Sequence, residues 1–289
     1  MPLLLATAAL GTRVELVLDE PESPGLRAVG EEVIAEVHHW HERLSYFQPE
    51  SLLSFINRSA AHRAVALDED VWSLLSLCRE AHRASAGAFD PTLAGLLGRA
   101  TTHAGVPASR HDQAADAGWA ALVELDDDRR TIRFRERGVR LDLGAVAKGF
   151  ALDRASDILR RHGVGGALLH AGTSSVVAIG AAPRTIGVRS AGGLVTVALR
   201  EGCLSVSAPR GKVVDGTAHI RHRGGPALAD TALVIGPLGG GAEADAWSTA
   251  LIVLGTRPMA MSDALRSAVH DGRRWTSHRI QLSPAPEAA

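Results

Sequence analysis

The chain has 289 residues, of which 46% are hydrophobic and 22% charged, a balance typical of globular proteins that excludes long disordered and fibrous classes. Its formal net charge of −1 leaves no whole-protein electrostatic argument for binding nucleic acid or anionic membranes. No segment approaches the roughly 18 uninterrupted apolar residues of a membrane span, and the apolar start at Pro2–Leu10 lacks the basic flank of a signal peptide. Cys78 and Cys203 lie far apart and form no C-x-x-C pattern, so we expect a cytoplasmic, reducing environment and no transmembrane span.

In chain order, the first half mixes strand and helix patterns. Alternating apolar and polar residues predict a strand over Thr12–Asp19. Apolar residues at helical spacing predict helices over Leu26–Leu44 and Val71–Ala86, with a loop around Pro49 between them. Residues 98–118 have no clear period and indicate a surface excursion, after which strand patterns occupy Ala121–Leu125, Thr131–Phe134 and Val139–Leu143.

The second half opens with a helical pattern over Gly144–His162. Short strand patterns follow at Gly166–His170, Ser175–Ile179, Thr185–Val188, Leu194–Leu199, Cys203–Val206 and Ala232–Ile235. Two closing helices are predicted over Ala244–Leu254 and Met259–Val269, and a last strand over Arg279–Leu282. Because strands and helices do not alternate strictly, these patterns favour an α+β fold with layered mixed or antiparallel sheets and flanking helices. We expect one domain over residues 1–283 and a disordered tail at 284–289.

The segment Leu141–Asp153 joins a predicted strand to the start of a helix. Its glycines let a ligand approach backbone amides that carry the positive end of the helix dipole, so an anionic ligand fits there. Lys148 lies in the first turns of that helix, where a cation opposes the dipole, so a phosphate or carboxylate contact accounts for it well. A solvated surface lysine is an equally open interpretation, and Asp142 and Asp153 are explained as well by a cap and a paired surface carboxylate.

A second candidate is the segment Ala244–Ala250, which places Asp245 and Thr249 four residues apart on one helical face. A carboxylate and a hydroxyl in that arrangement can both face a hard cation such as Mg²⁺. A capping Asp and a Thr bonded to a helix carbonyl is the more frequent explanation of such a pair.

Other polar segments are less informative by themselves. Gly87 ends a predicted helix and Pro91 forces Asp90 into an extended conformation, so Asp90 and Thr92 contact a ligand or only fix the turn. The His219–His222 segment matches no metal-binding template, and isolated histidines are more often structural than catalytic.

Taken together, these segments resemble one known family, the ApbE-type flavin transferases (FAD:protein FMN transferases). The resemblance covers about four fifths of the chain, and its most specific parts are the D-x-G-A-x-A-K-G block at 142–149 and the A-D-x-x-x-T-A block at 244–250. It implies an ApbE-like, T-fold-related architecture. It also implies that FAD and Mg²⁺ bind, and that FMN passes from FAD to a Ser or Thr hydroxyl of an acceptor flavoprotein with release of AMP.

The resemblance also assigns residues to the site. The positions matched to the FAD site are Leu10, Phe47, Ala88, Phe89, Asp90, Asp142 and Lys148. The metal ligands are matched to the Ala145 carbonyl, Asp245 and Thr249, and His219 is matched to a catalytic histidine beside the reacting phosphates.

Three family segments are altered in this chain. The family's T-S-G reads Ala208–Gly211, its H-x-x-D-P reads His219–Arg223, and its G-G-N reads Ala171–Thr173. Two alternatives therefore stay open, an FAD pyrophosphatase that uses water in place of the protein hydroxyl and a non-catalytic FAD-binding protein.

Overall fold

The computed structural model describes residues 1–92, 118–209 and 227–285, and the elements named here are those of these ranges. The helices are α1 (Pro24–Leu44), α2 (Leu52–Ser59), α3 (Glu69–Ala84), α4 (Gly118–Leu122), α5 (Ala147–Arg161) and α6 (Gly241–Leu254). The first strands are β1 (Pro2–Ala9), β2 (Thr12–Pro21), β3 (Val65–Ala66), β4 (Val123–Asp126), β5 (Thr131–Phe134), β6 (Ala167–Ala171) and β7 (Ser175–Ile179). The remaining strands are β8 (Arg184–Ser190), β9 (Gly193–Leu199), β10 (Gly202–Ser207), β11 (Thr231–Gly236), β12 (Arg266–His270), β13 (Trp275–His278) and β14 (Ser283–Pro284).

One eight-stranded antiparallel sheet organises the fold. Its strand order is β1-β2-β6-β7-β10-β11-β12-β13. Strand β2 pairs with β6 so that Val14 lies opposite Ala171, and the alternate residues Val14, Leu16 and Leu18 are fully buried. That alternation is the pattern expected of a strand with one face on the core. Strand β7 is buried along its whole length because both faces of the sheet are covered there.

The two faces of this sheet are covered by different layers. Helices α1, α5 and α6 lie on one face, where Trp40 of α1 meets Phe150 of α5 edge-on, with ring centroids 4.8 Å apart. The three-stranded sheet β14-β9-β8 lies on the other face, where Val188 and Val197 pack with Val176 of β7 in a second apolar cluster. The predicted α+β class with antiparallel sheets and flanking helices is therefore confirmed.

Several predicted elements differ from the observed ones. The helix predicted over Met259–Val269 is wrong, because Pro258 begins a turn and residues 266–270 form β12. The strand predicted over Arg279–Leu282 is also wrong, as is the one over Val139–Leu143, which lies in a loop. Strand β1 and helices α2 and α4 were not predicted. Of the predicted tail, residues 286–289 lie outside the described residues, as does most of the predicted excursion at 98–118.

Across the ranges that the structure describes, no helix is long and apolar enough to cross a membrane.

Helices α5 and α6 begin side by side at a point where only glycine fits. A Cβ atom added to Gly149 would overlap the Gly241 carbonyl oxygen and lie 2.7 Å from the Ala242 nitrogen. Because both obstacles are backbone atoms, neither can rotate away as a side chain would. The two helix starts are therefore held closer together than any other residue type at position 149 permits.

We expect Gly149→Ala to destabilise the protein by about 3 kcal/mol or more, since the overlap can be relieved only by moving a helix. The measurement is urea unfolding followed by circular dichroism. Gly25→Ala is the control, because Gly25 also lies in a helix but no atom stands within 4 Å of its added Cβ. We expect that variant to be as stable as the wild type or slightly more stable. Equal stability of the two variants would contradict the close-approach argument.

Candidate functional site

The loop that leads into α5 is held in place by two side chains. Asn57 of α2 brackets Leu141, donating from Nδ2 to its carbonyl at 2.9 Å and accepting its N–H at Oδ1 at 2.8 Å. One residue later, Asp142 Oδ1 accepts the Gly144 amide at 2.8 Å. Asp142 thus caps the turn before the helix rather than the helix itself.

The segment after α3 is a tight, buried turn that joins this loop. Asp90 Oδ1 accepts from Thr92 twice, from the amide at 2.9 Å and from the hydroxyl at 2.6 Å. His82 Nδ1 lies 2.9 Å from the Phe89 carbonyl oxygen. The Pro91 carbonyl accepts the Asp142 amide at 2.9 Å, so the segments containing Asp90 and Asp142, matched separately in the sequence, are neighbours.

Leu10 is half-buried against the core, whereas Phe47 is exposed. Leu10 forms the β1–β2 turn with Gly11, and both residues have positive φ, 54° and 71°. A leucine there is strained, because only glycine, asparagine and aspartate enter that region readily. Phe47 is 59% exposed between α1 and α2 and meets Tyr46 edge-on. Among the described residues, no contact connects Phe47 with the rest of the candidate site.

Asp245 is the centre of the site. It lies in α6, is 3% exposed, and accepts three hydrogen bonds. Ser175 and Ser205 donate to Oδ1 at 2.9 and 2.5 Å, and the Gly149 amide of α5 donates to Oδ2 at 2.7 Å. Burial raises the pKa of Asp245, an effect that the charge of nearby Lys148 and these hydrogen bonds oppose.

A chain of hydroxyl groups extends from Asp245 to Thr249. Ser205 Oγ lies 2.9 Å from Ser248 Oγ, which lies 2.8 Å from Ser207 Oγ, and Ser207 Oγ lies 3.5 Å from Thr249 Oγ1. Each hydroxyl has one proton to donate, so the chain is satisfied if every member donates toward Asp245. Thr249, at the far end of this chain of hydroxyls, is partly exposed.

The start of α5 supplies the rest of the site. Ala145 lies in the turn before the helix, and Lys148 Nζ reaches back to the Gly144 carbonyl oxygen at 3.3 Å. The next residue is Gly149, whose amide donates to Asp245. The segment 142–149, called here the Lys148 block, therefore meets the segment 244–250 at this point. The structure therefore brings Lys148 and Asp245 together, with Asp142 and Ala145 in the turn that precedes Lys148 and Thr249 one turn after Asp245.

Asp153 is a second buried carboxylate, 2% exposed, so its interpretation as a surface residue was wrong. It lies one turn after Gly149 and accepts the amides of Gly241 and Ala242, the first residues of α6, at 2.8 and 3.0 Å. Burial raises the pKa of Asp153 to about 7, and the charge of Asp245 adds to the shift while the two amides oppose it.

Some site residues escaped the sequence analysis, and one lies beyond the described residues. Ser205 and Ser207 alternate along β10 and place two hydroxyls on its helix-facing side, a period-two pattern visible in the sequence but not interpreted. No sequence pattern around His82 or Ser175 indicates a functional role. The proposed catalytic His219 lies outside the described residues, and its role remains a prediction.

The donor set at Asp245 fits a hard cation. Its donors are carboxylate and hydroxyl oxygens, the ligands that Mg²⁺ prefers. A carboxylate has about four acceptor positions, and with three in use at Asp245, one on Oδ2 remains. Across the described ranges, neither Asp245 nor any other residue belongs to a cluster of three or more His, Cys, Asp or Glu side chains that could hold a metal ion.

Comparisons with known proteins agree on one family. The model of the ApbE family matches residues 10–269. The FAD:protein FMN transferase of Rhodobacter capsulatus is 34% identical over 138 residues, which are 46% of this chain and 26% of that protein. The protein of the same name from Treponema pallidum is 28% identical over 192 residues, 61% of this chain and 51% of that one. The chain thus spans between a quarter and about half of the length of these curated relatives.

Solved structures show the same architecture. The crystal structure of the ApbE protein from Thermotoga maritima has a TM-score of 0.79 and 25% identity, and the match covers 96% of this chain and 97% of that one. The flavin transferase ApbE from Vibrio cholerae has a TM-score of 0.77 at 16% identity, with 96% and 97% covered. At 16% identity, the likeness to the Vibrio cholerae protein shows a shared fold alone.

The raised pKa of Asp153 makes a prediction about pH and stability. The pKa is about 7 in the folded protein against 3.8 ordinarily, so the fold favours the protonated acid. Its stabilising contribution is fully present below the ordinary pKa and is lost as the pH rises towards 7. Asp153→Asn removes this titration, so between about pH 5 and about pH 8 the wild type should lose more unfolding free energy than the variant.

The measurement is urea unfolding at both pH values, with Asp68→Asn as the control. Although burial opposes the shift, the Val71 amide and Arg43 lower the pKa of Asp68, so its contribution has the opposite sign and is lost as the pH falls. An identical pH dependence in the wild type and Asp153→Asn would contradict the assignment.

Proposed function

The chain belongs to the ApbE family, and we propose that it transfers FMN from FAD to a serine or threonine hydroxyl of an acceptor flavoprotein, releasing AMP. The observation that carries the proposal is the meeting of Asp245 with Gly149 and Lys148 at the start of α5. A helix start with an adjacent lysine binds phosphate, and a buried oxygen cluster beside it suits a divalent cation. A pyrophosphate bridged to a cation needs both features in one place.

The chain's own groups have distinct tasks in this proposal. The Lys148 ammonium and the positive end of the α5 dipole attract the pyrophosphate oxygens and neutralise their charge. By the family resemblance, Leu10, Phe47, Ala88 and Phe89 line the FAD site, while Asp90 and Asp142 hold the two joined turns beside it. His219 assists the incoming hydroxyl, a role assigned from the family resemblance.

Mg²⁺ is the cation we assign to the Ala145 carbonyl, Asp245 and Thr249. When bound, it would stabilise the negative charge that develops on the phosphate oxygens as AMP departs. The protein's part is to hold the Asp245 carboxyl group in place, which the donors Ser175, Ser205 and Gly149 do.

The direct test is incubation with FAD and Mg²⁺, with and without a protein extract of the source organism. AMP together with protein-bound flavin, detected by in-gel fluorescence, is the expected result. AMP with free FMN would replace transfer by hydrolysis, and absence of AMP under both conditions would leave a flavin-binding protein.

We expect Asp245→Asn to abolish the Mg²⁺ response of AMP release and to lower its rate roughly 10²-fold, because the only charged ligand becomes a neutral amide. Asp157→Asn is the matched control, since Asp157 lies on the outer side of α5 and pairs there with Arg154 and Arg160. That variant should keep the wild-type rate. An unchanged Mg²⁺ response in Asp245→Asn would exclude this metal site.

We also expect FAD to bind more tightly than riboflavin, because Lys148 and the start of α5 address the pyrophosphate and not the ring. Isothermal titration of both compounds provides the measurement. Equal dissociation constants would show that the pyrophosphate is not recognised at this helix start.

A further inference from the structure

Helices α5 and α6 cap each other through two buried carboxylates. Each helix has a glycine in its first turn and an aspartate four residues later, Gly149 with Asp153 in α5 and Gly241 with Asp245 in α6. The Asp153 carboxylate accepts the first amides of α6, and the Asp245 carboxylate accepts the Gly149 amide of α5. Each aspartate thus accepts hydrogen bonds from backbone amides in the first turn of the other helix.

Neither helix has a cap of its own. The residues that precede them, Val146 and Gly240, provide no side-chain hydrogen bond to the first turn. The first amides of a helix have no partner within the helix, and burying them unpaired is unfavourable. At these helix starts, Gly149, Gly241 and Ala242 find their acceptors in the opposite helix.

The arrangement also leaves little space for adjustment. A Cβ atom on Gly241 would lie 2.8 Å from both Asp153 Oδ1 and the Gly149 carbonyl oxygen. A shift of the α6 start away from Asp153 would therefore move α6 relative to Gly149. Asp245 lies one turn further along the same rigid helix, so its carboxylate would move with it.

We propose that Asp153 is a positioning residue for the Asp245 carboxylate. The inference rests on the proposed function of Asp245 as a cation ligand and adds a residue that touches neither the cation nor FAD. By holding the first turn of α6 against α5, Asp153 keeps Asp245 Oδ2 at the Gly149 amide, next to Lys148. Loss of the Asp153 carboxylate releases the α6 start and weakens cation binding at a distance.

Asp68 provides the matched comparison. It is also a carboxylate cap, accepting the Val71 amide at 3.0 Å, but it caps its own helix α3 and makes its ion pair with Arg43. Replacing Asp68 removes a helix cap without releasing the start of α6. A loss of Mg²⁺ affinity in both variants would therefore come from lower helix stability. A loss confined to the Asp153 variants would come from displacement of the α6 start.

The experiment titrates Mg²⁺ into the full chain by calorimetry, alone and with saturating FAD, for the wild type, Asp153→Ala, Asp153→Asn and Asp68→Ala. Asp153→Ala loses both acceptors, and we expect its Mg²⁺ dissociation constant to rise between about 10-fold and about 100-fold, the range for residues that orient metal ligands. Asp153→Asn keeps one acceptor and should show a smaller rise. Asp68→Ala should bind Mg²⁺ as the wild type does, although its unfolding temperature falls.

Asp153→Asn keeps the test decisive if Asp153→Ala does not fold. A folded Asp153 variant that binds Mg²⁺ with the wild-type constant would overturn the positioning role while leaving the proposed function intact. An equal loss of Mg²⁺ affinity in Asp68→Ala would overturn it as well, because the effect would then be general. A wild type that binds no Mg²⁺ with or without FAD would instead overturn the metal assignment at Asp245 and this inference with it.

Discussion

The mutual capping of α5 and α6 is the interaction on which the rest of the site depends. A buried carboxylate without partners is strongly unfavourable, and so is a buried helix start with unpaired amides. Here each unfavourable feature offsets part of the other, because the amide donors of one helix are placed on the acceptor oxygens of its neighbour. The compensation requires the helix starts to approach closely, which explains the glycines at 149 and 241.

This interaction determines what the eight-stranded sheet contributes. Strands β7 and β10 are apolar on the face toward the second sheet, where Val176 and Leu204 pack. On the opposite face they place Ser175 and Ser205 beneath Asp245. Apolar residues at these two positions would leave Oδ1 without donors in a buried environment. The serine hydrogen bonds favour the ionised carboxylate and oppose the effect of burial, which raises the pKa of Asp245.

Part of this arrangement was predictable from the sequence. The Asp245–Thr249 pair and the Lys148 block were identified by local spacing, because residues four apart in a helix share a face. The same rule finds Gly149–Asp153 and Gly241–Asp245 but cannot tell that the two helix starts meet, so a surface position for Asp153 stayed open. Contacts between distant segments, such as Ser175 with Asp245 and Asn57 with Leu141, have no local signature at all.

The wrong helix prediction over Met259–Val269 has a related cause. Met261, Leu265 and Val269 recur every four residues, as on a helix face, and all three are buried. The structure buries them from a turn and a strand instead, since Leu265 donates its amide to the Ser262 carbonyl and Val269 pairs with Ala232 of β11. The four-residue spacing of buried residues is the same for a helix and for this turn followed by a strand, so the sequence pattern did not distinguish them. The strand is identified by its pairing with β11.

The donor count at Asp245 has a consequence for how a cation and FAD depend on each other. The protein fills three of the carboxylate's acceptor positions. In the proposed function a cation there would therefore gain a single bond from Asp245, with further oxygens from Thr249 and Ala145, the other two ligands that we propose. Mg²⁺ prefers six oxygen ligands and in phosphate-binding enzymes takes several of them from the substrate. The pyrophosphate would complete the shell, and because binding linkage is reciprocal, FAD must strengthen Mg²⁺ binding by the factor by which Mg²⁺ strengthens FAD binding. In the proposed function, the Asp245 carboxylate already accepts three hydrogen bonds from the protein, so the cation needs oxygens of FAD to complete its shell. Cation and FAD would therefore bind together.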